Sequence, residues 1–421
     1  MPATPELTAE AAQWPRLAGL IPQWRQIPLY RARLSPPIIS PGGFSRLPFV
    51  TKHELRENFP GNFLAPENNL ETLLEQGVVE LEYTSGTSDE RTPVLFRLGW
   101  WDEQERRALR LNDFVARVLV ENPAARRATL TSPVCNGRAC PTVWVSREQR
   151  TIGLTLYLNI ARIPFTLAGT ELARMAQEIS DWSPPLLDVD PVHAVWLALY
   201  CERHGIRFPS LRFILSSYEF VSVVHRRILQ RVFGVPVLNL YGSTEAGHLL
   251  MQDERGDMKP STETAFMELV DVDADGVGEL VVTSLSNDLM PLVRYRTGDL
   301  VERHEEPDAT RYVIHGRTRD ALRAADGQRV TTLEVDRCFE NVAGIAHYEL
   351  RQQPDGSCTL RFVPDGRGPD AGELAVLTEK LESLLQTSGE IKTECVSFLV
   401  PTHSGKFRLT APLNSTAADA A

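Results

Sequence analysis

From Asp190 to Leu240 the sequence reads as helix, strand, helix, strand, and no other stretch restricts the fold as much. Asp190-Pro191 opens a helix as cap and first-turn proline, and Gly205 closes it after His204. Leu211-Arg212-Phe213-Ile214-Leu215 reads as a buried strand. A helix over 221–233, stopped by Gly234, then leads into a strand over 235–240. Strands separated by a helix of this length pair in parallel, with the helix as the crossover, so the expectation is an α/β fold built on mainly parallel sheets.

The flanking sequence extends that frame. Residues 1–50, with Trp14, Trp24 and many prolines, suggest short helices laid over a larger body. Thr51-Lys52-His53-Glu54 is a capping box whose helix should continue to Asn58. Over 102–121 the apolar residues Ala108, Leu111, Phe114, Val115, Val118 and Leu119 recur at helical spacing, and Asn122-Pro123 stops the run. Strand-like runs stand at 128–131, 142–145, 151–158 and 279–285. At Gly316-Arg317-Thr318-Arg319-Asp320 strand character gives way to a charged stretch, which divides the chain into 1–318 and a small α+β domain, 319–421. In that domain Asp326-Gly327 marks a hairpin, 332–341 and 371–385 helices, and 348–352, 359–363 and 394–400 strands.

Composition narrows the partners. A chain of 421 residues with 43% hydrophobic and 24% charged residues is an ordinary globular protein of two or three domains. Its net charge of −11 argues against nucleic acid or an anionic membrane, so an anionic ligand needs a local basic site. The beginning of the chain shows no secretory signal, and no apolar run is long enough to span a bilayer. The scattered cysteines (Cys135, Cys140, Cys201, Cys338, Cys358, Cys395) suit a reduced, cytoplasmic protein. Cys135 and Cys140 with Cys201 and His204 fit no common zinc spacing.

Two short stretches are candidates for ligand chemistry. Tyr241-Gly242-Ser243-Thr244-Glu245 follows the strand over 235–240 directly, and ligands of open α/β sheets bind just beyond strand carboxyl ends. Tyr83-Thr84-Ser85-Gly86-Thr87-Ser88 lines up hydroxyls around a glycine that lets backbone N–H groups converge on a phosphate. Each has a plainer reading: a surface turn for the hydroxyl-rich stretch, and a solvated loop carboxylate for Glu245. The Walker A spacing is absent.

Taken in order with Tyr295-Arg296-Thr297-Gly298-Asp299, Gly316 to Asp320, and Ser404-Gly405-Lys406, these stretches resemble the acyl-adenylating superfamily. The short length resembles its phenylacetate–CoA ligase branch, as do Phe49-Val50-Thr51-Lys52-His53-Glu54-Leu55 and Pro291-Leu292-Val293-Arg294-Tyr295. The resemblance implies ATP-dependent, AMP-forming activation of a small carboxylic acid. Thr84, Ser85, Gly86, Thr87 and Ser88 would hold the leaving phosphates, and Tyr241 would stack on adenine beside Gly242 and Ser243. Thr244 would contact the α-phosphate, Glu245 would hold Mg²⁺, and Asp299 would bind the ribose, with Arg317 as a nearby donor. Lys406, on a mobile C-terminal domain hinged at Arg319, would stabilise the adenylation transition state. Ser217, Tyr218 and Glu219 stand in the adenine-side motif, and Tyr218, Gly247 and His248 would line the acid pocket, which suits an aromatic acid.

Departures bear on the second half-reaction. The phosphate loop runs on as Asp89-Glu90-Arg91 with no lysine, Arg319 replaces the usual hinge aspartate, and the glycine-rich stretch used near pantetheine reads Ala324-Ala325-Asp326-Gly327-Gln328. Coenzyme A is the commonest acceptor of the branch. A carrier-protein thiol or a nitrogen nucleophile is the alternative, and a nucleotide-binding protein that has lost turnover is a third. A homodimer stays open.

Overall fold

The computed structural model describes residues 9–34, 40–65, 67–84, 91–131, 145–158, 163–306, 309–387, 389–402 and 404–413. Contacts divide the chain into two compact units. The first comprises 1–86, 90–116 and 240–313; the second comprises 87–89, 117–239 and 314–421. The chain re-enters the second unit at Ile314, so this division groups 314–421 with 117–239.

The second unit carries the parallel strands. Thr155–Tyr157, Arg127–Leu130, Leu186–Val189, Phe213–Ser216 and the start of Val237–Ser243 pair in that order, all parallel. Their crossovers form for the reasons legible in the sequence. Asp190 Oδ1 accepts the N–H groups of Val192 and His193, and Gly205 ends that helix at φ +66°. Ser222 caps the helix Val223–Phe233, which Gly234 ends at φ +68°. Ile214, Val195, Ala198 and Ile228 are buried together in one core, which continues through Val335, Tyr348, Leu360 and Leu377 of the C-terminal part. Each fully buried aliphatic side chain of this kind contributes about 1.5–3 kcal/mol.

The C-terminal part is α+β. Strands Ile345–Gln352 and Cys358–Pro364 form an antiparallel pair, with Lys392–Cys395 added in parallel on one side. Thr410–Pro412 adds on the other side, parallel to Leu350–Gln352, and not 394–400 but this short segment is the last strand. The C-terminal part meets the start of the crossover helix Val223–Phe233 through the Asp336 carboxylate. Asp336 Oδ2 accepts the Val223 N–H at 2.9 Å, and Oδ1 accepts the Tyr348 hydroxyl at 2.7 Å. Burial pushes the Asp336 carboxyl up to about 6 against those hydrogen bonds.

The first unit is mostly antiparallel. Ala265–Val270, Val277–Ser284 and Tyr295–Glu306 form a meander, and Gly247–Gln252 pairs with Met258–Pro260 and with the end of Val237–Ser243. Val79–Tyr83 and Pro93–Arg97 form a separate ribbon.

Three local expectations are corrected. The helix expected over 102–121 is interrupted, as Trp100–Leu109, Asp113–Val115 and a wide turn over Ala116–Val120. Asn112 breaks it, because its side chain accepts the Val115 N–H and restarts the helix as a new N-cap. The capping-box helix stops at Arg56, since Asn58 takes φ +58°. The run over 151–158 is a small hairpin, Thr151–Ile152 with Thr155–Tyr157, turning at Gly153. The strand expected over 142–145 begins outside the described residues. Among the described residues no helix is long and apolar enough to cross a membrane.

Candidate active site

In the first unit, the strand expected to stop at Leu240 runs on through Tyr241, Gly242 and Ser243, paired with Gly247 to Leu250 in a tight hairpin with a register shift at Tyr241. A Cβ on Gly242 would lie 2.2 Å from the Gly247 carbonyl oxygen, so only glycine lets the two strands close here. Thr244 and Glu245 form the hairpin's tip, where Ser243 Oγ accepts the Ala246 N–H.

Glu245 is not a solvated loop carboxylate. Its side chain is 5% exposed, accepts the Tyr295 hydroxyl at 2.7 Å and lies 3.6 Å from the Lys52 ammonium. Burial raises the carboxyl, but the Lys52 charge and the hydrogen bonds from Tyr295 and Ser243 outweigh it and hold Glu245 below its ordinary value. It is therefore an anion at neutral pH. Lys52 went unrecognised as a site residue because it sits inside the capping box, where its neighbours explain the local sequence fully.

Asp299 lies within the strand Tyr295–Glu306, in an irregular stretch where Gly298 takes φ +77°. Its Oδ2 accepts the Tyr241 hydroxyl at 2.8 Å, so the aromatic residue and the carboxylate assigned to one nucleoside hold each other. Of the hydroxyl-rich stretch two residues are described, the exposed strand end Tyr83 and, after it, Thr84. Thr84 is buried, and its backbone and Oγ1 both engage Thr92, which closes the base of the loop. Ser85, Gly86, Thr87 and Ser88 lie outside the described residues.

His248 packs at 5.0 Å from the Trp101 ring and is clamped by Gln104, a fully buried amide on the helix Trp100–Leu109. Gly247 takes φ +78°, and a Cβ there would lie 2.8 Å from Gln104 Oε1. Neither Gln104 nor its buried position was singled out from the sequence; a polar residue on the apolar side of that helix was the available signal.

The second unit holds the other candidates. Ser217 Oγ donates to Asp188 Oδ1 at 2.6 Å and Tyr218 Oη to Asp188 Oδ2 at 3.1 Å, so a buried strand carboxylate fixes the adenine-side motif. Burial and that carboxylate push the Tyr218 phenol well above its ordinary range. Glu219 Oε1 accepts the Phe407 N–H at 2.9 Å, and the Thr402 N–H and hydroxyl both donate to Lys406 O, which fixes the peptide that follows Lys406. Burial raises the Glu219 and Asp190 carboxyls, and Glu219 rises further beside Asp190. The Lys406 ammonium pulls both back, and Arg317 does the same for Glu219. Arg319 Nε and Arg408 Nε lie 3.6 and 3.4 Å from Asp320 Oδ1.

No family model matches the chain. Among solved structures, 2-hydroxyisobutyryl-CoA ligase in its postadenylation state superimposes with a TM-score of 0.65 at 17% identity, covering 94% of this chain and 90% of that one. An anthranilate CoA ligase in complex with anthranoyl-AMP gives 0.56 at 17% identity, covering 78% and 64%. The fold is thus that of the adenylate-forming CoA ligases. Among curated proteins, the phenylacetate-coenzyme A ligase of Pseudomonas putida is 29% identical over 302 residues, 65% of this chain and 62% of that protein. That of Thermus thermophilus is 26% identical over 316 residues, 70% and 66%. These relatives are phenylacetate–coenzyme A ligases, and the matches span a little under two-thirds of their length.

The site fits a hard cation through Glu245, the described carboxylate that is both anionic and assigned to the phosphates. No group of three or more His, Cys, Asp or Glu side chains forms a metal cluster among the described residues. One anionic carboxylate is enough for Mg²⁺, which commonly takes one or two carboxylates and completes its shell with water and phosphate oxygens. Glu245→Gln keeps the hydrogen bond from Tyr295 but leaves the partly exposed Lys52 without its counter-charge. The expected result is a folded protein, destabilised by about 1 kcal/mol, that needs at least tenfold more Mg²⁺ for half-maximal nucleotide use. Titration of Mg²⁺ in a pyrophosphate-release assay checks this. An unchanged requirement removes Glu245 from the metal site.

Proposed function

We propose that this protein is an ATP-dependent, AMP-forming ligase that activates a carboxylic acid, aromatic by preference, as its acyl-AMP and then transfers the acyl group to coenzyme A. The observation that carries the reading is the hairpin of the first unit. It presents an anionic Glu245, held by Lys52 and Tyr295, next in sequence to a Tyr241 hydrogen-bonded to Asp299. The names of the relatives support both the adenylate and the coenzyme A half.

In the first half-reaction a carboxylate oxygen forms a bond to the α-phosphorus while the bond to the bridging oxygen breaks, and pyrophosphate leaves with that electron pair. Both partners are anions, so alignment and charge neutralisation supply most of the catalysis. Bound Mg²⁺ would neutralise phosphate charge and ease pyrophosphate's departure. Tyr241 and Asp299 would fix the nucleoside, Thr244 would donate to the α-phosphate, and Lys406 would stabilise charge on the transferred phosphoryl. In the second half-reaction the thiol sulfur attacks the acyl carbon and AMP leaves. We assign 319–421 as a mobile domain that serves each half-reaction in turn, with Arg319 at the hinge.

The stretch Ala324 to Gln328 forms a tight polar hairpin, closed by Asp326 accepting the Gln328 N–H at 2.8 Å. It favours a second reading, transfer to a carrier-protein thiol or a nitrogen nucleophile. Pyrophosphate release over a panel of aryl and alkyl acids, each with and without coenzyme A, separates the readings. The expected result is AMP and pyrophosphate with an aryl acid, and acyl-CoA when coenzyme A is present. Formation of ADP overturns the assignment; acyl-AMP that coenzyme A does not consume selects the second reading.

A further inference from the structure

Gln104 meets His248 at two points. Its Oε1 accepts the His248 backbone N–H, and its Nε2 lies 2.9 Å from the ring Nδ1. A backbone N–H only donates, so the amide oxygen must face it, and the –NH₂ must therefore face the ring. An amide –NH₂ also only donates, so Nδ1 is the bare, accepting nitrogen and the ring proton sits on Nε2. The arrangement is locked. Gln104 is fully buried, the Trp101 ring stands 5.0 Å from the imidazole, and Gly247 leaves the space that Gln104 Oε1 occupies.

We infer that Gln104 is a positioning residue that holds His248 as a neutral, Nε2-protonated imidazole, and that His248 thereby offers an N–H donor to an acceptor oxygen of the bound acid. This rests on the reading that the protein adenylates a carboxylic acid and that the turn after Glu245 faces it. The chemistry explains why an amide, and not a carboxylate, stands at residue 104. A neutral donor orients the acid's carboxylate without neutralising it, and an un-neutralised oxyanion is the better nucleophile toward phosphorus. A carboxylate beside Nδ1 would draw a proton onto that nitrogen.

Two substitutions separate the ring contact from the backbone contact. Gln104→Leu removes both, whereas Gln104→Glu keeps the acceptor for the backbone N–H and exchanges the donor at Nδ1 for an acceptor. In the free wild-type protein labelled with ¹⁵N-histidine, the His248 resonances, assigned by their loss in His248→Gln, should show a bare Nδ1 and a protonated Nε2. In Gln104→Glu the proton should move to Nδ1 or occupy both nitrogens. For activity, both variants should raise the acid's KM about tenfold, the usual size of one neutral hydrogen bond, and leave the KM for ATP unchanged. Thermal melting confirms that each variant folds. If wild-type Nδ1 carries the proton, the inference is overturned. It is also overturned if Gln104→Glu keeps the wild-type KM for the acid, because Gln104 then only supports the hairpin backbone. The spectroscopic measurement needs no turnover, so failure of every acid to release pyrophosphate would overturn the enzymatic reading and the donor role while leaving the tautomer decided on its own.

Discussion

Lys406→Ala should slow acyl-AMP formation by about 10²–10³-fold, the range typical of losing one donor that acts only in the transition state. The fold should survive. The backbone around Lys406 is held by bonds that do not use its side chain: Thr402 N–H to Lys406 O at 2.7 Å and Phe407 N–H to Glu219 Oε1 at 2.9 Å. The ammonium also lowers the Asp190 and Glu219 carboxyls, both raised by burial. Without it those carboxyls move further up, toward the neutral form that burial already favours. Lys406→Arg should not restore the rate, because a planar guanidinium cannot occupy the place of a compact ammonium. Single-turnover measurement of acyl-AMP, and separately of acyl transfer from preformed acyl-AMP, checks the assignment. Adenylation should collapse while transfer stays within about threefold of wild type. Equal losses in both steps would mean that Lys406 serves the protein's structure and not the first half-reaction.

What the sequence disclosed and what it hid follow from the range of the forces involved. The parallel frame was legible because Asp190, Pro191, Gly205 and Gly234 act within one turn of chain, and each is found capping or ending its helix. The adenylate-forming fold was legible from the order of several short motifs. The interrupted helix after Leu109 was not, because Asn112 looks like any polar helix residue until its side chain is seen accepting the Val115 N–H. The supporting partners were hidden for a related reason. Lys52 lies 193 positions before Glu245 in a chain of 421, Asp188 is a single polar residue in an apolar strand, and Gln104 is one of several polar residues on its helix. The local sequence does not show what they contact. Only tertiary contact shows that Lys52 keeps Glu245 anionic, that Asp188 anchors Ser217 and Tyr218, and that Gln104 fixes His248.

Replacing both His225 and His347 with leucine should make the protein more resistant to acid, by about 2–4 kcal/mol at pH 5 relative to its difference from wild type at pH 7.5. The two rings stack 5.2 Å apart in the second unit, one on the helix Val223–Phe233 and the other on the strand Ile345–Gln352. His225 Nδ1 accepts the Ser222 N–H in the capping box, so its proton lies on Nε2 and is donated to His347 Nδ1 at 3.0 Å. His347 must then carry its own proton on Nε2, an atom that is buried among the rings of Phe165 and Phe407 with no hydrogen-bond partner among the described residues. Burial depresses His225 to about 3 and His347 well below its ordinary value, the latter further by the charge that His225 would carry. The sign follows from proton uptake. The unfolded chain binds protons at both rings as pH falls through about 6.5 and the folded protein does not, so stability present above that pH is lost below it. One histidine is worth about 2 kcal/mol at pH 5 by this linkage, and two are worth up to twice that if they titrate independently. Raised carboxyls nearby, Asp336, Glu219 and Asp190, act in the opposite direction, because the folded form takes up their protons first. The comparison with the double variant cancels their contribution. A single His347→Leu change would instead leave the His225 Nε2–H buried without its acceptor and should destabilise at every pH by about 1–3 kcal/mol. Urea unfolding at the two pH values measures both effects. If the double variant and wild type lose the same stability on acidification, the two histidines are not held neutral in the folded protein.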